Sequence, residues 1–280
     1  MKRDELIRQI CRKRSMLCVG LDPDPQKIPV KYRDAADPVL AFLKQVVRET
    51  ADYAVAFKPN LAFFEADGPD GMTRFQELVG FIREHYPEIF LIADAKRGDI
   101  GNTAARYAKT FFTTYDCDAV TLSPYMGSDS IRPFLEFRNK WSVVLGLTSN
   151  PGASDIELME LKSGERVFEH SMHQVAKLGG SDQIMFVVGA TKPEQLKILR
   201  KQFPDHFFLV PGVGAQGGSV EEVCSLAATT FGGLLINSSR GILYPENESA
   251  EPHRLAAWEL QFAMANSIEC ADQSSSVPSS

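Results

Sequence analysis

Residues 89–99 read Ile-Phe-Leu-Ile-Ala-Asp-Ala-Lys-Arg-Gly-Asp, an apolar run that passes abruptly into a cluster of charges. A short and nearly continuous apolar run of this kind predicts a strand that is buried on both faces, as in a parallel sheet. The charges follow at the carboxyl end of that strand, which is where parallel α/β folds gather their functional residues. This one stretch therefore indicates both the type of sheet and the place where chemistry is expected.

Seven further apolar runs of about five or six residues recur along the chain, at 16–20, 53–58, 118–123, 142–147, 184–188, 207–211 and 233–237. Amphipathic segments between or after them predict helices at 38–50, 72–84, 103–113, 165–178, 193–202, 220–228 and 252–265. Eight strands alternating with helices predict an α/β fold, a single (β/α)8 TIM barrel. An open doubly wound sheet is the alternative, because alternation alone does not establish closure. Residues 3–14 predict an extra N-terminal helix.

The length and composition fit one large hydrophobic core. The chain has 280 residues, of which 44% are hydrophobic, and α/β barrels of about 250 residues fold as one domain. We expect residues 1–268 to form the barrel and residues 269–280 to form a disordered C-terminal tail, since the last stretch is rich in serine and ends Val-Pro-Ser-Ser.

Bulk charge and targeting signals exclude several classes of partner. The formal net charge is −6 and the isoelectric point is about 5.5, so we expect neither nucleic acid nor an anionic membrane as a partner. No apolar run is long enough to span a membrane, and residues 1–6 lack the apolar core of a secretory signal. The chain has five cysteines and no Cys-x-x-Cys pair, which is typical of free thiols in a reducing compartment and predicts a cytoplasmic protein.

The charges after residue 93 form the candidate catalytic site. Asp94 and Lys96 are two residues apart, so in a regular strand both side chains face the same side of the sheet. Lys58 ends the preceding strand and can extend them into an alternating lysine–aspartate array. Such an array keeps Lys96 protonated as a general acid. A structural ion-pair network that closes the top of the barrel is the alternative, and spacing alone leaves both open.

A glycine-rich run follows the seventh predicted strand, Gly212-Val213-Gly214-Ala215-Gln216-Gly217. It formally matches the dinucleotide fingerprint, but it follows a late strand, and Asn237 stands about 20 residues on, where that motif requires an acid. Loops after strands seven and eight form the usual phosphate site of barrels, and Arg240 can add a charged clamp there. The alternative is two glycine turns and a surface arginine.

His170 and His173 have the spacing of a helical metal site. No acid or cysteine cluster accompanies them, so we interpret them as a solvated helix face and predict no metal.

Seven segments match the motifs of one known family in the same order. They are Gly-Leu-Asp-Pro at 20–23, Phe-Lys-Pro-Asn at 57–60, Asp-Ala-Lys-Arg-Gly-Asp-Ile-Gly-Asn-Thr at 94–103, Ser-Pro-Tyr-Met-Gly at 123–127, Thr-Ser-Asn-Pro at 148–151, Pro-Gly-Val-Gly-Ala-Gln-Gly-Gly at 211–218 and Asn-Ser-Ser-Arg-Gly at 237–241. From about residue 17 to residue 244 the sequence resembles the orotidine 5'-phosphate decarboxylases of the longer bacterial type, which is also seen in some eukaryotic bifunctional proteins.

The resemblance implies conversion of orotidine 5'-phosphate to UMP without metal or cofactor, the last step of de novo pyrimidine synthesis. Lys58, Asp94, Lys96 and Asp99 match the charged tetrad of the family. By this resemblance Lys96 protonates C6 of the pyrimidine as CO2 leaves, and Asp94 faces the departing carboxylate. Asp22 and Lys58 hold the ribose hydroxyls.

The resemblance also implies a homodimer with shared active sites. In the family, the equivalents of Asp99, Ile100 and Thr103 reach into the site of the neighbouring subunit. Ser149 matches the residue that hydrogen-bonds the pyrimidine edge.

The phosphate grip and the remaining substrate contacts follow from the same matches. Gln216 and Arg240 match the residues that hold the phosphate together with nearby backbone amides. Asn60, Pro211 and Ser239 lie in matching segments, and we expect them to contact the substrate.

Two rival functions remain at this point. One is a Mg2+-dependent sugar-phosphate decarboxylase or aldolase of the same barrel superfamily, which shares an Asp-x-Lys-x-x-Asp run. Such enzymes usually need an acid near the second strand to hold the metal, and Lys58 occupies that position here. The other is a barrel that binds phosphate ligands without catalysis, which the charged array makes less favoured.

Overall fold

Eight parallel strands close into a barrel in the computed structural model, which describes residues 1–190, 193–213 and 218–269. The strands are β1 (Leu17–Leu21), β2 (Ala54–Pro59), β3 (Phe90–Arg97), β4 (Ala119–Leu122), β5 (Trp141–Leu147), β6 (Ile184–Val188), β7 (Phe207–Pro211) and β8 (Leu234–Ser238). They pair in chain order, and β1 also pairs with β8, with Leu17 opposite Ile236. The prediction of a (β/α)8 barrel is therefore confirmed, and the open sheet is excluded.

Large aromatic side chains fill the end of the barrel where the strands begin. The ring of Trp141 lies 5.9 Å from that of Phe90 and 6.0 Å from that of Phe207, measured between centroids. These three residues start β5, β3 and β7, and all are fully buried. Side chains contributed by alternate strands form layers in barrels of this type. The aromatic layer closes the amino-terminal end and leaves the opposite end for polar residues.

Helices surround the barrel at bounds close to those predicted. They are α1 (Arg3–Lys13), α2 (Pro38–Thr50), α3 (Ala62–Glu65), α4 (Gly68–His85), α5 (Gly101–Lys109), α6 (Arg132–Leu135), α7 (Val167–Ala176), α8 (Pro193–Gln202), α9 (Val220–Ala227), α10 (Arg240–Leu243) and α11 (Pro252–Ala265). The short helices α3, α6 and α10 have one turn each, which is too little for hydrophobic periodicity to reveal.

The predicted N-terminal helix is present and lies against the amino-terminal end of the barrel. Its apolar face buries Leu6 and Ile10 completely. Gly232, with a φ of +90°, lets the chain before β8 pass close by, since a Cβ there would lie 2.8 Å from Ile10 Cγ2. The helix therefore anchors the start of the chain to the barrel.

Cysteine usage differs in part from the expectation of free thiols. Cys18, Cys117 and Cys224 are free and buried, but Cys11 is disulfide-bonded, so the expectation is wrong at that residue. Cys270 and the predicted tail from residue 270 onward lie outside the described residues. Within the described part of the chain, none of the helices has the length and apolar character needed to cross a membrane.

Candidate active site

A buried ion pair joins the ends of β2 and β3 at the carboxyl-terminal mouth of the barrel. Lys58 Nζ donates a hydrogen bond to Asp94 Oδ2 at 2.8 Å, and both residues are buried. The strand ends position them, because β2 and β3 are neighbours in the ring and a bridge between Asn60 and Asp94 extends their pairing. A buried ammonium and carboxylate at this distance offset much of each other's desolvation penalty.

Lys96 completes the array from the same strand as Asp94, but not through regular strand alternation. Its Nζ donates to Asp94 Oδ1 at 2.6 Å, and its side chain is 52% exposed. The pairing of β3 with β4 shifts between Ala93 and Arg97, and the φ of Lys96 is +46°. The prediction that the two side chains share a face of a regular strand is corrected here, since a bulge with left-handed backbone turns the lysine toward Asp94.

Thr121 on β4 is a third partner of Asp94 that the sequence reasoning missed. Its hydroxyl donates to Asp94 Oδ1 at 3.0 Å and accepts a hydrogen bond from the backbone N of Lys96 at 2.8 Å. One hydroxyl thus fixes both the carboxylate and the bulge. Its position near the end of β4 was the available signal, but an uncharged threonine within a strand does not stand out.

The three charges determine each other's protonation. Burial alone would raise the pKa of the Asp94 carboxyl, but the ammonium groups of Lys58 and Lys96 outweigh burial and lower this pKa from 3.8 to about 2. Burial would lower the pKa of Lys58, but the carboxylates of Asp94 and Asp22 outweigh it and raise that pKa above its ordinary value. Asp94 is therefore ionised and Lys58 protonated throughout the physiological pH range.

Asp22, which follows β1, links this array to a neighbouring cavity of about 630 Å3. Gly20 leaves space for the side chains of Ser239 and Asp22, since a Cβ at position 20 would lie 1.8 Å from Ser239 Oγ and 3.3 Å from Asp22 Oδ2. Asp22 Oδ1 is buried and has no hydrogen-bond partner among the described residues. A buried acceptor left unpaired by the protein is a position where a ligand hydroxyl is favoured.

The same cavity contains the described part of the candidate phosphate site. Gly212, with a φ of +86°, Ser239 and Arg240 line it. Arg240 is exposed and begins α10, directly after β8. Gln216 lies outside the described residues, so its predicted contact is not placed. Pro211 ends β7 opposite Asn237.

The structure places the other candidate residues around the mouth. The Asn60 amide oxygen accepts from Ala62 N at 3.2 Å, in the turn that leads from β2 into α3. Asp99 Oδ1 accepts from Ile100 N at 2.8 Å, whereas Lys58 and Lys96 of the same chain pair with Asp94. Ile100 is 50% exposed. Thr103 lies exposed in the first turn of α5, and Ser149 lies half-buried after β5.

His170 and His173 do not join this site. Their Nδ1 atoms lie 2.9 and 2.6 Å from the two carboxylate oxygens of Glu165, on the partly exposed face of α7. Among the described residues no group of three or more histidine, cysteine, aspartate or glutamate side chains could hold a metal ion.

The fold and the site define a class: a (β/α)8 barrel with a lysine–aspartate array at its mouth and a polar cavity at the ends of β7 and β8. Residues 15–255 match the model of the orotidine 5'-phosphate decarboxylase / HUMPS family, and the chain belongs to that family. The resemblance stated from the sequence motifs is therefore confirmed.

Known relatives agree with this assignment. The orotidine 5'-phosphate decarboxylase of Bacteroides fragilis strain YCH46 is 49% identical over 271 residues, covering 96% of this chain and 99% of that protein. The Porphyromonas gingivalis strain ATCC 33277 enzyme of the same name is 51% identical over 247 residues, 88% of this chain and 90% of that one.

Solved structures from Leishmania donovani have the same fold. Its OMP decarboxylase gives a TM-score of 0.82 at 33% identity and covers 95% of this chain and 99% of that chain. Its UMP synthase gives a TM-score of 0.82 at 36% identity over 96% of this chain, which spans 57% of that longer protein.

Proposed function

We propose that this chain converts orotidine 5'-phosphate to UMP and CO2 without metal or cofactor. The observation that carries the proposal is the sharing of one buried carboxylate, Asp94, between Lys58 and Lys96 at the barrel mouth. The array lies beside a cavity lined by Asp22, Ser239 and Arg240. The family assignment and the named relatives support the same reaction.

Lys96 is the proton donor in this mechanism. As the C6–carboxylate bond breaks, CO2 leaves and the bonding electron pair stays on C6, and an N–H of the Lys96 ammonium transfers its proton to that carbon. An ammonium already held by Asp94 and by the bulge needs little reorganisation when negative charge develops, which is the main source of electrostatic catalysis. Asp94 faces the departing carboxylate and keeps the lysine charged.

Ribose and phosphate contacts supply binding energy away from the reacting carbon. The unpaired Oδ1 of Asp22 suits a ribose hydroxyl as donor, and Lys58 is the cation beside it. Arg240, Gln216 and backbone groups near Ser239 hold the phosphate. Arg240 supplies the positive charge. We also assign substrate contacts to Pro211, the last residue of β7, and to Asn60, which follows β2. Because the phosphate does not react, its binding energy can be used to stabilise the transition state.

A homodimer with shared sites is part of the proposal. Asp99, Ile100 and Thr103 would enter the neighbouring site, and exposed apolar side chains beside them suit a subunit contact: Ile100 is 50%, Tyr125 83% and Met126 49% exposed. Mixing inactive Lys96→Ala and Asp99→Ala chains is expected to restore part of the activity, because a hybrid dimer assembles one intact site. Failure to recover activity after proven subunit exchange would refute the shared site.

The deciding experiment for the reaction follows the loss of orotidine 5'-phosphate absorbance with purified protein in excess EDTA. Full activity is expected. Strict dependence on Mg2+ would favour the rival sugar-phosphate decarboxylase or aldolase, and binding of UMP without turnover would favour a non-catalytic barrel. Against the metal-dependent rival, the Asp94 carboxylate is already bound by two ammonium groups.

The domain and compartment assignments belong to the same proposal. Residues 1–268 would act as one catalytic domain, and the enzyme would work in the cytoplasm, a compartment that suits the free thiols of Cys18, Cys117 and Cys224 although not the disulfide of Cys11. Limited proteolysis and cell fractionation test these two points.

A further inference from the structure

The segment between β5 and α7 carries Ser149 but has little regular structure of its own. It contains one short 3-10 turn, Pro151–Asp155, and its course depends on individual contacts. One acidic side chain, Glu157, makes two of them. Its carboxylate accepts a hydrogen bond from Thr148 N at 2.7 Å. Its other oxygen lies 2.7 Å from Thr148 Oγ1, whose single proton it shares with Asn150 Oδ1 at 2.6 Å.

Glu157 is itself tied to the body of the barrel. Its backbone carbonyl accepts from Phe168 N at 3.0 Å, at the start of α7. The side chain is half-buried in the wall of a second cavity of about 630 Å3, beside Leu145 and Val167. The carboxylate therefore reaches back from α7 to the end of β5, and hydrogen bonds to an ionised acceptor are stronger than neutral ones.

Ser149 follows Thr148 and is confined from the other side by β6. A Cβ at Gly189 would lie 2.8 Å from Ser149 Cβ and 2.9 Å from Ser149 N. Gly189 N also donates to Leu147 O at 2.8 Å. Among the described residues the hydroxyl of Ser149, which is half-buried, makes no hydrogen bond, so it is available to a ligand.

We propose that Glu157 is a positioning residue for recognition of the pyrimidine base, acting through Thr148 to hold the Ser149 hydroxyl in place. The inference rests on the proposed function, which assigns Ser149 to the pyrimidine edge. No ion pair of Glu157 occurs among the described residues, so its contribution lies in its two hydrogen bonds rather than in charge neutralisation. Glutamine can keep both bonds, since its oxygen accepts from Thr148 N and its amide group donates to the Thr148 hydroxyl. Alanine removes both.

The test compares a ligand that has the base with one that lacks it. In Glu157→Ala we expect kcat/KM for orotidine 5'-phosphate to fall roughly 10- to 100-fold, mainly through KM, as for the loss of two hydrogen bonds. Inhibition by UMP should weaken to a similar degree, whereas inhibition by ribose 5-phosphate should stay within about twofold. Glu157→Gln should recover most of the loss.

Two further variants isolate the route of the effect. Glu160→Ala, an exposed acid of the same segment, is the matched control and should behave like the parent protein. In a Ser149→Ala background, Glu157→Ala should cause little further loss, because the residues act in series. Equal weakening of UMP and ribose 5-phosphate, or full additivity in the double variant, would overturn the inference. A parent protein without turnover would instead refute the proposed function.

Discussion

Two buried aspartates lie at opposite ends of the same barrel and differ in how completely the polar groups around them are satisfied. Asp94 is near the carboxyl end of β3, and Asp118 directly precedes β4 at the amino-terminal end. They are 8% and 5% exposed, and each has two cationic partners. The pKa of each carboxyl is lowered, because cations outweigh the effect of burial.

Asp118, at the amino-terminal end of the barrel, accepts hydrogen bonds from several parts of the chain. Asp118 Oδ1 accepts from the amino group of Met1 at 2.6 Å, and Oδ2 accepts from Arg83 at 2.8 Å and from Leu91 N at 2.9 Å. The Trp141 indole N–H donates to the carbonyl of Met1 at 2.9 Å. The backbone of Leu91, the aromatic layer and the ion pairs all hold the Asp118 carboxylate in one position, which is the arrangement expected of a structural network.

Asp94, at the carboxyl-terminal end of the barrel, lies among polar groups whose hydrogen bonds are incomplete. Lys96 is half exposed and has left-handed backbone, and the nearby Asp22 oxygen has no partner among the described residues. Unpaired acceptors and strained backbone are tolerated where a ligand is to be bound. Buried charge by itself therefore does not mark function in this barrel, whereas buried charge beside polar groups without partners does.

The largest effect should come from removing the ammonium at the mouth. In Lys96→Ala we expect turnover to fall on the order of 10⁴-fold, because both the proton donor and its preorganised charge are lost. UMP binding should change little, since Arg240 is untouched; steady-state assays and calorimetric titration measure the two quantities. Lys140→Ala is the control, because Lys140 pairs with Asp116 at the other end. Turnover close to the parent rate in Lys96→Ala would exclude it as proton donor.

Substitutions in the network around Asp118 should lower the stability of the protein without lowering its kcat. Asp118→Ala leaves Arg83 and the Met1 ammonium without their shared anion, so the free energy of unfolding should fall by about 3–5 kcal/mol. The folded fraction should keep its kcat; urea denaturation and assays at low temperature check both. Asp116→Asn removes the charge of an exposed partner of Arg83 and Lys140 but suits the positive φ at this position, so it should change stability by only about 0.5 kcal/mol. Loss of kcat in folded Asp118→Ala would break the proposed division between the two ends.

Protonation of Asp94 should lower the free energy of unfolding in a defined acidic pH range. The pKa of Asp94 in the folded protein, about 2, lies below its ordinary 3.8, so its stabilisation is complete above pH 3.8 and is lost as the pH falls toward 2. Its size is about 2 kcal/mol. Unfolding free energies of Asp94→Asn should therefore fall less over this range than those of the parent protein. Parallel curves would show that Asp94 is not the titrating group.

The smallest effect concerns the hydroxyl that holds the bulge. Thr121→Val keeps the shape but loses the hydrogen bonds to Asp94 and Lys96 N, and we expect kcat/KM to fall about tenfold. Thr121→Ser should restore most of it. An unchanged kcat/KM in the valine variant would mean that the bulge holds itself without this contact.

The sequence predicted the barrel and the charged ends of its strands well, because both depend on local patterns: apolar runs of strand length and charges directly after them. It did not reveal Thr121 or the Ser239–Gly20 contact, since those depend on which strands become neighbours across the ring. It also implied regular alternation at Lys96, because a bulge leaves no mark in composition. Glu157 was missed for a similar reason: an acid in an irregular segment resembles any solvated loop residue.

The left-handed backbone of Lys96 has a consequence for how this protein responds to selection. A non-glycine residue in this conformation is less stable by roughly 1–2 kcal/mol than in its ordinary one, and glycine would remove that strain. Glycine would also remove the ion pair between Lys96 and Asp94, so relief of the backbone strain and loss of the ion pair act on stability in opposite directions. A screen for thermal tolerance alone would therefore select only weakly at this position, whereas a screen for turnover would retain the proposed proton donor.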